Sequence, residues 1–244
     1  IDDARQRLAA HVSPITRTER LPLLAAAGRV AAADVSSPLA VPPFARSAMD
    51  GYAVKAADTV GASAATAVRL RIIGRVYTGQ VPDQLVTAGT AYEIATGAPL
   101  PEGADAVVPV EETQRAGDDV LIAASVASGQ HIGRRGADIS PGDLVVRAGD
   151  YLNASRIGAA AAIGCTEIEV YQRPRVAVLS TGNEVVSPGR PLQGAQIYDV
   201  NSLTLGAVIG AHGCVMEPRP PVPDTLEAQS AALQACADAD VVIF

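Results

Sequence analysis

Large aromatic side chains and lysine are scarce in this chain. Its 244 residues include no tryptophan, two phenylalanines and six tyrosines, and Lys55 is the single lysine. A hydrophobic core must therefore be packed from alanine, valine, leucine and isoleucine, which the 48% hydrophobic content can supply. With one lysine available, a catalytic lysine is not expected in this stretch. The 22 glycines and 17 prolines favour many turns over a helical bundle.

Positive charge is also in short supply. The chain has 26 acidic and 19 basic residues, so its net charge is −7. Proteins that bind nucleic acid need a basic face, and we therefore expect no nucleic-acid partner. A small anionic substrate is compatible with this charge if a local cluster of arginine or amide donors binds it.

Cysteines and long apolar runs are few. Cys165, Cys214 and Cys236 lack the spacing of a metal site, and they are interpreted as buried thiols of a reducing cytosol. No segment resembles a signal peptide and no apolar run reaches transmembrane length, so we expect a cytoplasmic protein without a membrane partner. Because the sequence starts at Ile1 rather than at methionine, we expect a fragment of a longer chain.

The first two thirds of the chain change from helical to strand patterns. Apolar residues three and four positions apart predict a helix over 3–13. A weaker helical pattern over 21–27 ends at Gly28, a plausible C-cap. From 52 to 152, short apolar runs with period two are separated by Gly, Pro and Asp clusters, which predicts a β-rich domain.

In the last third of the chain, the pattern first predicts a helix over 154–163 capped by Asn153 or Ser155. Strands and helices then alternate: a buried strand over 175–180, a helix over 202–212 and a strand over 214–216. They are followed by a helix from the capping box of Asp224 and Glu227 to 237 and by a buried strand over 240–244. The β-α-β-α-β order implies a parallel sheet with right-handed crossovers.

One unusual run, PPFARSAMDGYAV at 42–54, presents a single carboxylate. Its two prolines stop a helix, and Gly51 permits a tight turn directly after Asp50. A rigid loop that leads into a strand at Tyr52 is therefore predicted, and such loops often carry functional groups. For Asp50 taken alone, a turn aspartate that caps its own backbone is the simpler alternative.

Two further carboxylates follow the first strand of the predicted parallel sheet. Open sheets bind ligands at the carboxyl ends of their strands, and this strand leads into Thr181, Gly182, Asn183 and Glu184. Asp199 and Asn201 lie at a predicted helix N-terminus, where free N–H groups favour anions. The alternatives are a solvated loop charge for Glu184 and simple helix capping for Asp199 and Asn201.

Two runs in the β-rich part add groups that could bind an anion. Residues 96–105 form a stiff turn with an exposed hydroxyl at Thr96, and Arg134 and Arg135 stand close to Asp138. Paired guanidinium groups suit phosphate or oxyanion recognition, although an exposed salt-bridge cluster is the commoner arrangement. The histidines match no ligand spacing, and no nucleotide-binding glycine motif or nucleophile elbow is present. Residue chemistry alone therefore leaves the reaction open.

Several ordered motifs together resemble the molybdopterin molybdenumtransferase family, the MoeA proteins, which are related to the gephyrin E domain. They cover nearly the whole chain in the family's order: GRVAAADV at 28–35, PPFARSAMDGYAV at 42–54, ATGAPLPEGADAVVPVEE at 95–112, GRRGADISPGD at 133–143, RPRVAVLSTGNE at 173–184, GAQIYDVNS at 194–202 and ADVVIF at 239–244. Asn183 departs from the pattern, because the family commonly has aspartate there.

The resemblance implies a multidomain fold of class α/β plus β. The implied parts are an N-terminal helix at 1–17 that packs with the α/β domain, a small linking domain at 18–44 and 133–172, a β-rich inserted domain at 45–132, and the first half of a parallel-sheet, three-layer α/β molybdopterin-binding domain at 173–244. In the family, the rest of the α/β domain and a C-terminal β-barrel follow, with a Gly-Gly-x-Ser-x-Gly-type loop after the strand that matches DVVIF.

The resemblance also implies an Mg²⁺-assisted enzyme that inserts molybdate into adenylylated molybdopterin and releases AMP. The implied catalytic carboxylates are Asp50, Asp138, Glu184 and Asp199, of which Glu184 and Asp199 are the candidate metal ligands. The implied substrate-binding residues are Ser47, Thr96, Arg134, Arg135, Thr181, Gly182, Asn183 and Asn201.

The resemblance also implies partners for this protein and leaves two alternative functions. In the family, the cleft forms across a homodimer, between the α/β domain of one subunit and the β-rich domain of the other, and a molybdopterin adenylyltransferase is the candidate partner protein. A non-enzymatic molybdopterin-binding or scaffold protein of the same fold is the main alternative, and retention of all four carboxylates argues against it. An adenylyltransferase acting on molybdopterin is a weaker alternative, because that enzyme lacks the β-rich insertion.

Overall fold

The chain divides into two units, which a computed structural model describes over all residues 1–244. Residues 1–35 and 146–244 form the first, here called the flanking unit. Residues 36–145 form the second, here called the inserted unit. The finer division into four domains stays a prediction.

Both units are built from short elements joined by turns. The helices are α1 (Asp2–His11), α2 (Ala154–Ala162), α3 (Asn201–Ala211) and α4 (Leu226–Gln234). The strands are β1 (Thr18–Pro22), β2 (Val35–Ser36), β3 (Arg46–Ser47), β4 (Gly51–Val54), β5 (Val68–Val76), β6 (Thr90–Ile94), β7 (Ala106–Pro109), β8 (Thr113–Ala116), β9 (Asp119–Ile122), β10 (Ile132–Gly133), β11 (Leu144–Val146), β12 (Glu167–Tyr171), β13 (Arg175–Val178), β14 (Val185–Val186), β15 (Ile197–Tyr198), β16 (Val215–Glu217) and β17 (Val241–Ile243). No helix has the length and apolar character that crossing a membrane requires.

The inserted unit is built on one six-stranded sheet with the strand order β7-β4-β6-β5-β9-β8. The pair β5–β6 is parallel, and the other neighbours are antiparallel. Every residue of β4 is buried, because Tyr52 and Val54 enter one apolar cluster and Ala53 enters another. The period-two pattern thus predicted the β-rich character of this region correctly.

The flanking unit contains the predicted parallel sheet. Its strands lie in the order β16-β13-β17, and both neighbours of β13 are parallel to it. Apolar side chains of β13 are buried on both faces: Ala177 lies in a cluster with Ala228 of α4, whereas Val176 and Val178 pack with Ile209 of α3. The predicted β-α-β-α-β order is therefore confirmed.

A separate antiparallel ladder in the flanking unit joins distant parts of the chain. Strand β1 pairs with β12 along its whole length. The extended segment 28–32 lies along the other edge of β12 through a bridge between Ala31 and Val170. On the edge away from β12, the segment 28–32 forms an antiparallel β-bridge between Val30 and Tyr151.

The weak helical prediction over 21–27 is wrong. Strand β1 extends to Pro22, and turns follow as far as Gly28. The N–H of Leu23 donates to the Thr166 carbonyl at 2.9 Å, which continues the pairing beside β12. The long-range ladder thus outweighs a weak local helix propensity.

One of the predicted helix caps is confirmed and another is wrong. Asn153 caps α2 as predicted, with its side chain accepting the Arg156 N–H at 3.0 Å. The cap of α4 is Thr225 rather than Asp224. The N-terminal helix forms as α1, and none of its residues is buried, so its packing with the α/β domain stays a prediction.

A carboxylate before β17 ties the sheet to the start of β1, and its removal should weaken the flanking unit. Asp240 accepts two hydrogen bonds from the Arg17 guanidinium at 2.9 and 2.8 Å and one from the Arg175 N–H at 2.8 Å. These bonds, that of Arg17 first, lower the pKa of Asp240 below its ordinary value of 3.8. We expect Asp240→Asn to lower the urea midpoint of the flanking unit at pH 7.

The pH dependence of that loss separates the ion pair from simple packing. A carboxyl with a lowered pKa stabilises the fold above its ordinary pKa, and this contribution disappears as the pH falls through the folded-state pKa. The difference between the parent and Asp240→Asn should therefore be largest near neutral pH and shrink below about pH 4. Asp238→Asn, which changes an exposed carboxylate two residues away, is the matched control. A difference that stays constant with pH would contradict the ion-pair account.

Candidate functional site

A cavity of about 450 Å³ lies at the carboxyl edge of the parallel sheet. It forms where β13 and β17 end and α3 begins, which is the edge that the strand order predicts for a ligand. Of the predicted site residues, Thr181, Asp199 and Asn201 line it, together with Ser180. The remaining predicted residues of the loop after β13 do not line the cavity: Gly182, Asn183 and Glu184.

Asp199 is the buried acid of this cavity, with 4% of its surface exposed. Its Oδ1 atom accepts hydrogen bonds from the Ser180 hydroxyl at 2.8 Å and from the Ser202 N–H at 3.0 Å. Burial opposes ionisation, but the hydrogen bonds, those of Ser202 first, outweigh it and lower the pKa of Asp199 below its ordinary value. Asp199 therefore caps the first turn of α3 and also places an ionised carboxylate on the cavity wall.

The loop after β13 is held by the segment that precedes α4. Val222 accepts the Gly182 N–H at 3.1 Å and donates its own N–H to the Ser180 carbonyl at 2.9 Å. Asn183 and Asp224 bond reciprocally, each backbone N–H donating to the side-chain oxygen of the other at 3.2 Å. Asp224, which the sequence pattern assigned to a helix cap, thus fixes the conformation of the candidate site loop.

Glu184 and Asp199 lie at opposite ends of a short parallel ladder. Glu184 precedes β14 and Asp199 follows β15, and these two strands pair with each other. Glu184 is exposed. An added Cβ on Gly182 would lie 2.9 Å from a carboxylate oxygen of Glu184, so the glycine permits their close approach.

The predicted metal site has few protein ligands. No group of three or more His, Cys, Asp or Glu side chains in the chain could hold a metal ion. Mg²⁺ often takes only one or two protein carboxylates and completes its shell with water and substrate phosphates. The ionised carboxylate of Asp199 and the exposed carboxylate of Glu184 fit that donor chemistry. Their assignment to Mg²⁺ stays a prediction.

Asp50 and Thr96, predicted from separate motifs, are neighbours in the inserted unit. The Thr96 N–H donates to Oδ1 of Asp50 at 2.8 Å, and the Val110 N–H donates to the Asp50 backbone carbonyl at 2.9 Å. The carboxylate of Asp50 therefore bonds a strand end 46 residues away rather than capping its own turn. The side chain of Thr96 is exposed next to it.

Ser47 is buried and fixes the backbone close to Asp50 and Thr96. It is 1% exposed, and its hydroxyl accepts the Met49 N–H at 3.2 Å and donates to the Met49 carbonyl. Its backbone carbonyl accepts the Gly97 N–H at 2.8 Å, which joins the run 42–54 to the turn beside Thr96. A direct contact of Ser47 with substrate stays a prediction.

The arginine pair lies on an exposed loop of the inserted unit. Residues 134–139 close on residues 41–42 through backbone hydrogen bonds of about 2.9 Å. Arg134, Arg135 and Asp138 are all exposed, and none of them takes part in a salt bridge. The alternative of a salt-bridge cluster is therefore not observed, and both guanidinium groups are available to an anion.

Sequence reasoning missed a polar cluster beside Asp50. A cavity of about 220 Å³ is lined by Asp50 together with Arg75, Tyr77 and Glu93. Glu93 accepts hydrogen bonds from Arg75 at 2.8 Å and from Arg115 at 2.7 Å, and Arg75 donates to the Tyr77 hydroxyl at 3.0 Å. Because these residues alternate with apolar ones along their strands, the pattern indicates only an exposed sheet face.

The parallel sheet with its carboxylate-lined cavity and the β-rich insertion define a multidomain protein of class α/β plus β. Residues 1–164 match the family model of the MoeA N-terminal region (domain I and II), and the chain belongs to the MoeA family. Molybdopterin molybdenumtransferase 2 of Mycobacterium tuberculosis is 40% identical over 239 residues, which cover 98% of this chain and 59% of that protein. Molybdopterin molybdenumtransferase of Haemophilus influenzae is 35% identical over 245 residues, covering 100% of this chain and 59% of that protein.

Solved structures of the family share the fold. One crystal structure of the molybdopterin biosynthesis MoeA protein from Pyrococcus horikoshii matches with a TM-score of 0.92 at 31% identity, covering 99% of this chain and 64% of that one. Another matches with a TM-score of 0.87 at 36% identity, covering 98% and 62%. The predicted multidomain fold is confirmed. The chain spans 59% of the length of the two curated relatives named above.

Proposed function

We propose that the full-length protein is a molybdopterin molybdenumtransferase of molybdenum cofactor biosynthesis that acts in the cytoplasm. It inserts molybdate into adenylylated molybdopterin and releases AMP in an Mg²⁺-dependent reaction. The observation that carries this proposal is the ionised Asp199 on the wall of the carboxyl-edge cavity. Membership of the MoeA family also supports the proposal, because the two curated relatives described above are named molybdopterin molybdenumtransferases.

The cavity of the flanking unit supplies the fixed polar part of the proposed site. Thr181 and Asn201 line it and offer a hydroxyl and an amide to the substrate. Asp199 keeps its orientation through the bond from Ser180, so its carboxylate does not reorganise when substrate binds. Asp199 and Glu184 are the residues we propose to hold Mg²⁺, which when bound would neutralise the charge of the phosphoanhydride.

The inserted unit supplies the proposed cationic part of the site. The unpaired guanidinium groups of Arg134 and Arg135 suit the phosphates of a small anionic substrate. Asp138 adds a carboxylate on the loop of the two arginines, and the neighbouring residues Asp50 and Thr96 add a carboxylate and a hydroxyl elsewhere on the same unit. We further propose that the site forms in a homodimer, from the flanking unit of one subunit and the inserted unit of the other. A molybdopterin adenylyltransferase is the proposed partner protein, since its product is this substrate.

The shared site predicts that two inactive variants restore each other. Asp50→Asn damages the contribution of the inserted unit, and Glu184→Gln damages that of the flanking unit. When the two full-length variants are mixed and re-associated at random, half of the dimers are mixed, and one of the two sites in each is intact. We therefore expect about a quarter of the parent activity, against nearly none for either variant alone. Mixing that restores nothing, in a preparation shown to exchange subunits, would contradict the shared site.

The reaction itself is tested with purified full-length protein. Adenylylated molybdopterin, molybdate and Mg²⁺ should yield molybdenum cofactor and AMP in equal amounts, and chelation of Mg²⁺ should stop both. A protein that binds the substrate without releasing AMP would be a scaffold of the same fold instead. Glu184→Gln separates these functions, because a scaffold should keep its binding and clustering role with that carboxylate removed.

A further inference from the structure

A second cavity of the flanking unit, of about 1070 Å³, is not used by the proposed reaction. It lies at the amino ends of the parallel strands, since Pro174 precedes β13 and residues 210–214 lead into β16. The candidate site lies at the opposite, carboxyl edge of the same sheet. Its volume is close to the upper end of the range of about 300–1,000 Å³ that is usual for small-molecule sites. We call it the tyrosine cavity.

One row of paired residues forms the aromatic wall of the tyrosine cavity. Thr18 pairs with Tyr171, the Tyr171 N–H donates to the Val30 carbonyl at 2.9 Å, and Val30 is bridged to Tyr151. All four residues line the cavity, as expected because directly paired residues place their side chains on one face. With strands about 4.8 Å apart, the two tyrosines stand about 10 Å apart on either side of Val30.

This wall concentrates a scarce residue type. The chain has six tyrosines and no tryptophan, and two of the tyrosines line this one cavity. Tyr151 is 58% exposed, so its ring is presented to the cavity rather than packed in a core. The hydroxyl of Tyr151 lies 3.6 Å from the Cβ position of Gly28, which also lines the cavity, so this ring lies along the wall where a planar ring can contact it.

The unpaired polar groups of the tyrosine cavity favour an anion. The guanidinium of Arg173 and the hydroxyls of Tyr151 and Tyr171 form no hydrogen bond or salt bridge within the protein and line the cavity. His212 adds a free ring nitrogen, because its Nδ1 atom is bonded to the Val208 carbonyl at 2.8 Å.

Acidic side chains do not line the tyrosine cavity itself. No aspartate or glutamate lines the tyrosine cavity, although the chain has 26 acidic residues. Of the two adjacent carboxylates, Glu19 is paired with the buried Arg29 at 2.6 Å, whereas Glu169 accepts a hydrogen bond from the Thr18 hydroxyl at 2.8 Å and keeps its charge. Among the residues that line the cavity, Arg173 is the unpaired cation.

We propose that the tyrosine cavity binds a planar heteroaromatic ring that carries a phosphate or carboxylate group. The ring lies over Val30 between Tyr151 and Tyr171, and its acidic group binds the guanidinium of Arg173. Purine nucleoside monophosphates and anionic pterins share this chemistry. The site is separate from the one proposed for catalysis, and it does not depend on that function.

The test is calorimetric titration of the full-length protein with AMP, adenosine, inorganic phosphate and pterin-6-carboxylate. To remove a competing contribution from the candidate active site, the titrations are repeated in the Arg134→Gln/Arg135→Gln background. AMP or the pterin should bind saturably in both backgrounds, and the stronger of the two identifies the source of the ring. Adenosine and phosphate alone should each bind at least about tenfold more weakly, because each supplies one half of the recognition.

Two variants of exposed side chains locate the binding. Arg173→Gln and Tyr151→Leu should each weaken the bound probe about tenfold, and Arg71→Gln, which changes an exposed arginine of the inserted unit, should leave it unchanged. Melting curves check that each variant is folded. The proposal is overturned if neither AMP nor the pterin binds, if binding is lost in the Arg134→Gln/Arg135→Gln background, or if binding in that background is unchanged by both cavity variants.

Discussion

Replacing Gly51 by alanine is expected to unfold the inserted unit at a temperature where the parent protein is stable. An added Cβ would overlap the Val108 carbonyl oxygen and would lie 2.9 Å from the carbonyl carbon of the same residue. Strand β4 lies between β6 and β7, so it cannot shift away without breaking hydrogen bonds to one of them. We expect a loss of about 3 kcal/mol, at the upper end of overpacking costs, measured by urea unfolding followed by circular dichroism.

The matched control for that substitution is Gly61→Ala. Gly61 has a φ of +80°, and an added Cβ there would meet nothing within 4 Å. Its substitution introduces only left-handed backbone strain, about 1 kcal/mol. Equal losses in the two variants would show that the collision with the Val108 carbonyl is not what makes glycine necessary after Asp50.

Changing Asp199 to asparagine is expected to lower the rate of molybdenum insertion by about a hundredfold or more. Asparagine keeps an Oδ1 acceptor for the Ser180 hydroxyl and the Ser202 N–H, so the loop geometry should survive while the negative charge is lost. The measurement is cofactor formed per unit time at saturating substrate, together with the melting temperature. A variant that retains the parent rate would remove Asp199 from the proposed mechanism.

The pH profile gives an independent check on Asp199. Because the hydrogen bonds lower the pKa of its carboxyl, Asp199 stays ionised as the pH falls from neutral toward its ordinary value of 3.8. No decrease in rate between about pH 7 and pH 5 should therefore arise from this group. Asp238→Asn, an exposed carboxylate of the same unit, should keep the parent rate and profile.

Elements whose signal is contiguous in the chain were predictable. The apolar run of β13, the pattern of α3 and the cap at Asn153 each lie within a few residues, and each element formed as predicted. The hypotheses about site residues rest on the same kind of local signal, since Asp50 and Asp199 lie in short distinctive runs. The β-α-β-α-β pattern also predicted the edge at which a cavity is found, because it makes the strands parallel and their carboxyl ends meet there.

Features made by distant residues were not predictable from the sequence. The bond from Thr96 to Asp50 spans 46 residues, and the bonds between Asn183 and Asp224 span 41. Asp224 looked like a helix cap because its local pattern is that of a capping box. The helix predicted over 21–27 was wrong for the same reason. Strand β1 extends to Pro22 because it pairs with β12, which lies far along the chain.

The pairing of β1 with β12 has a consequence for the order in which the protein is made. A ribosome releases Thr18–Pro22 early, but the partner strand Glu167–Tyr171 emerges only after all of residues 36–145. The inserted unit therefore has its whole sequence available before β12 is made, and domains fold as units during synthesis. We expect the newly made β1 to keep an unpaired edge until β12 emerges, so the flanking unit can complete its fold only after the inserted unit has been synthesised.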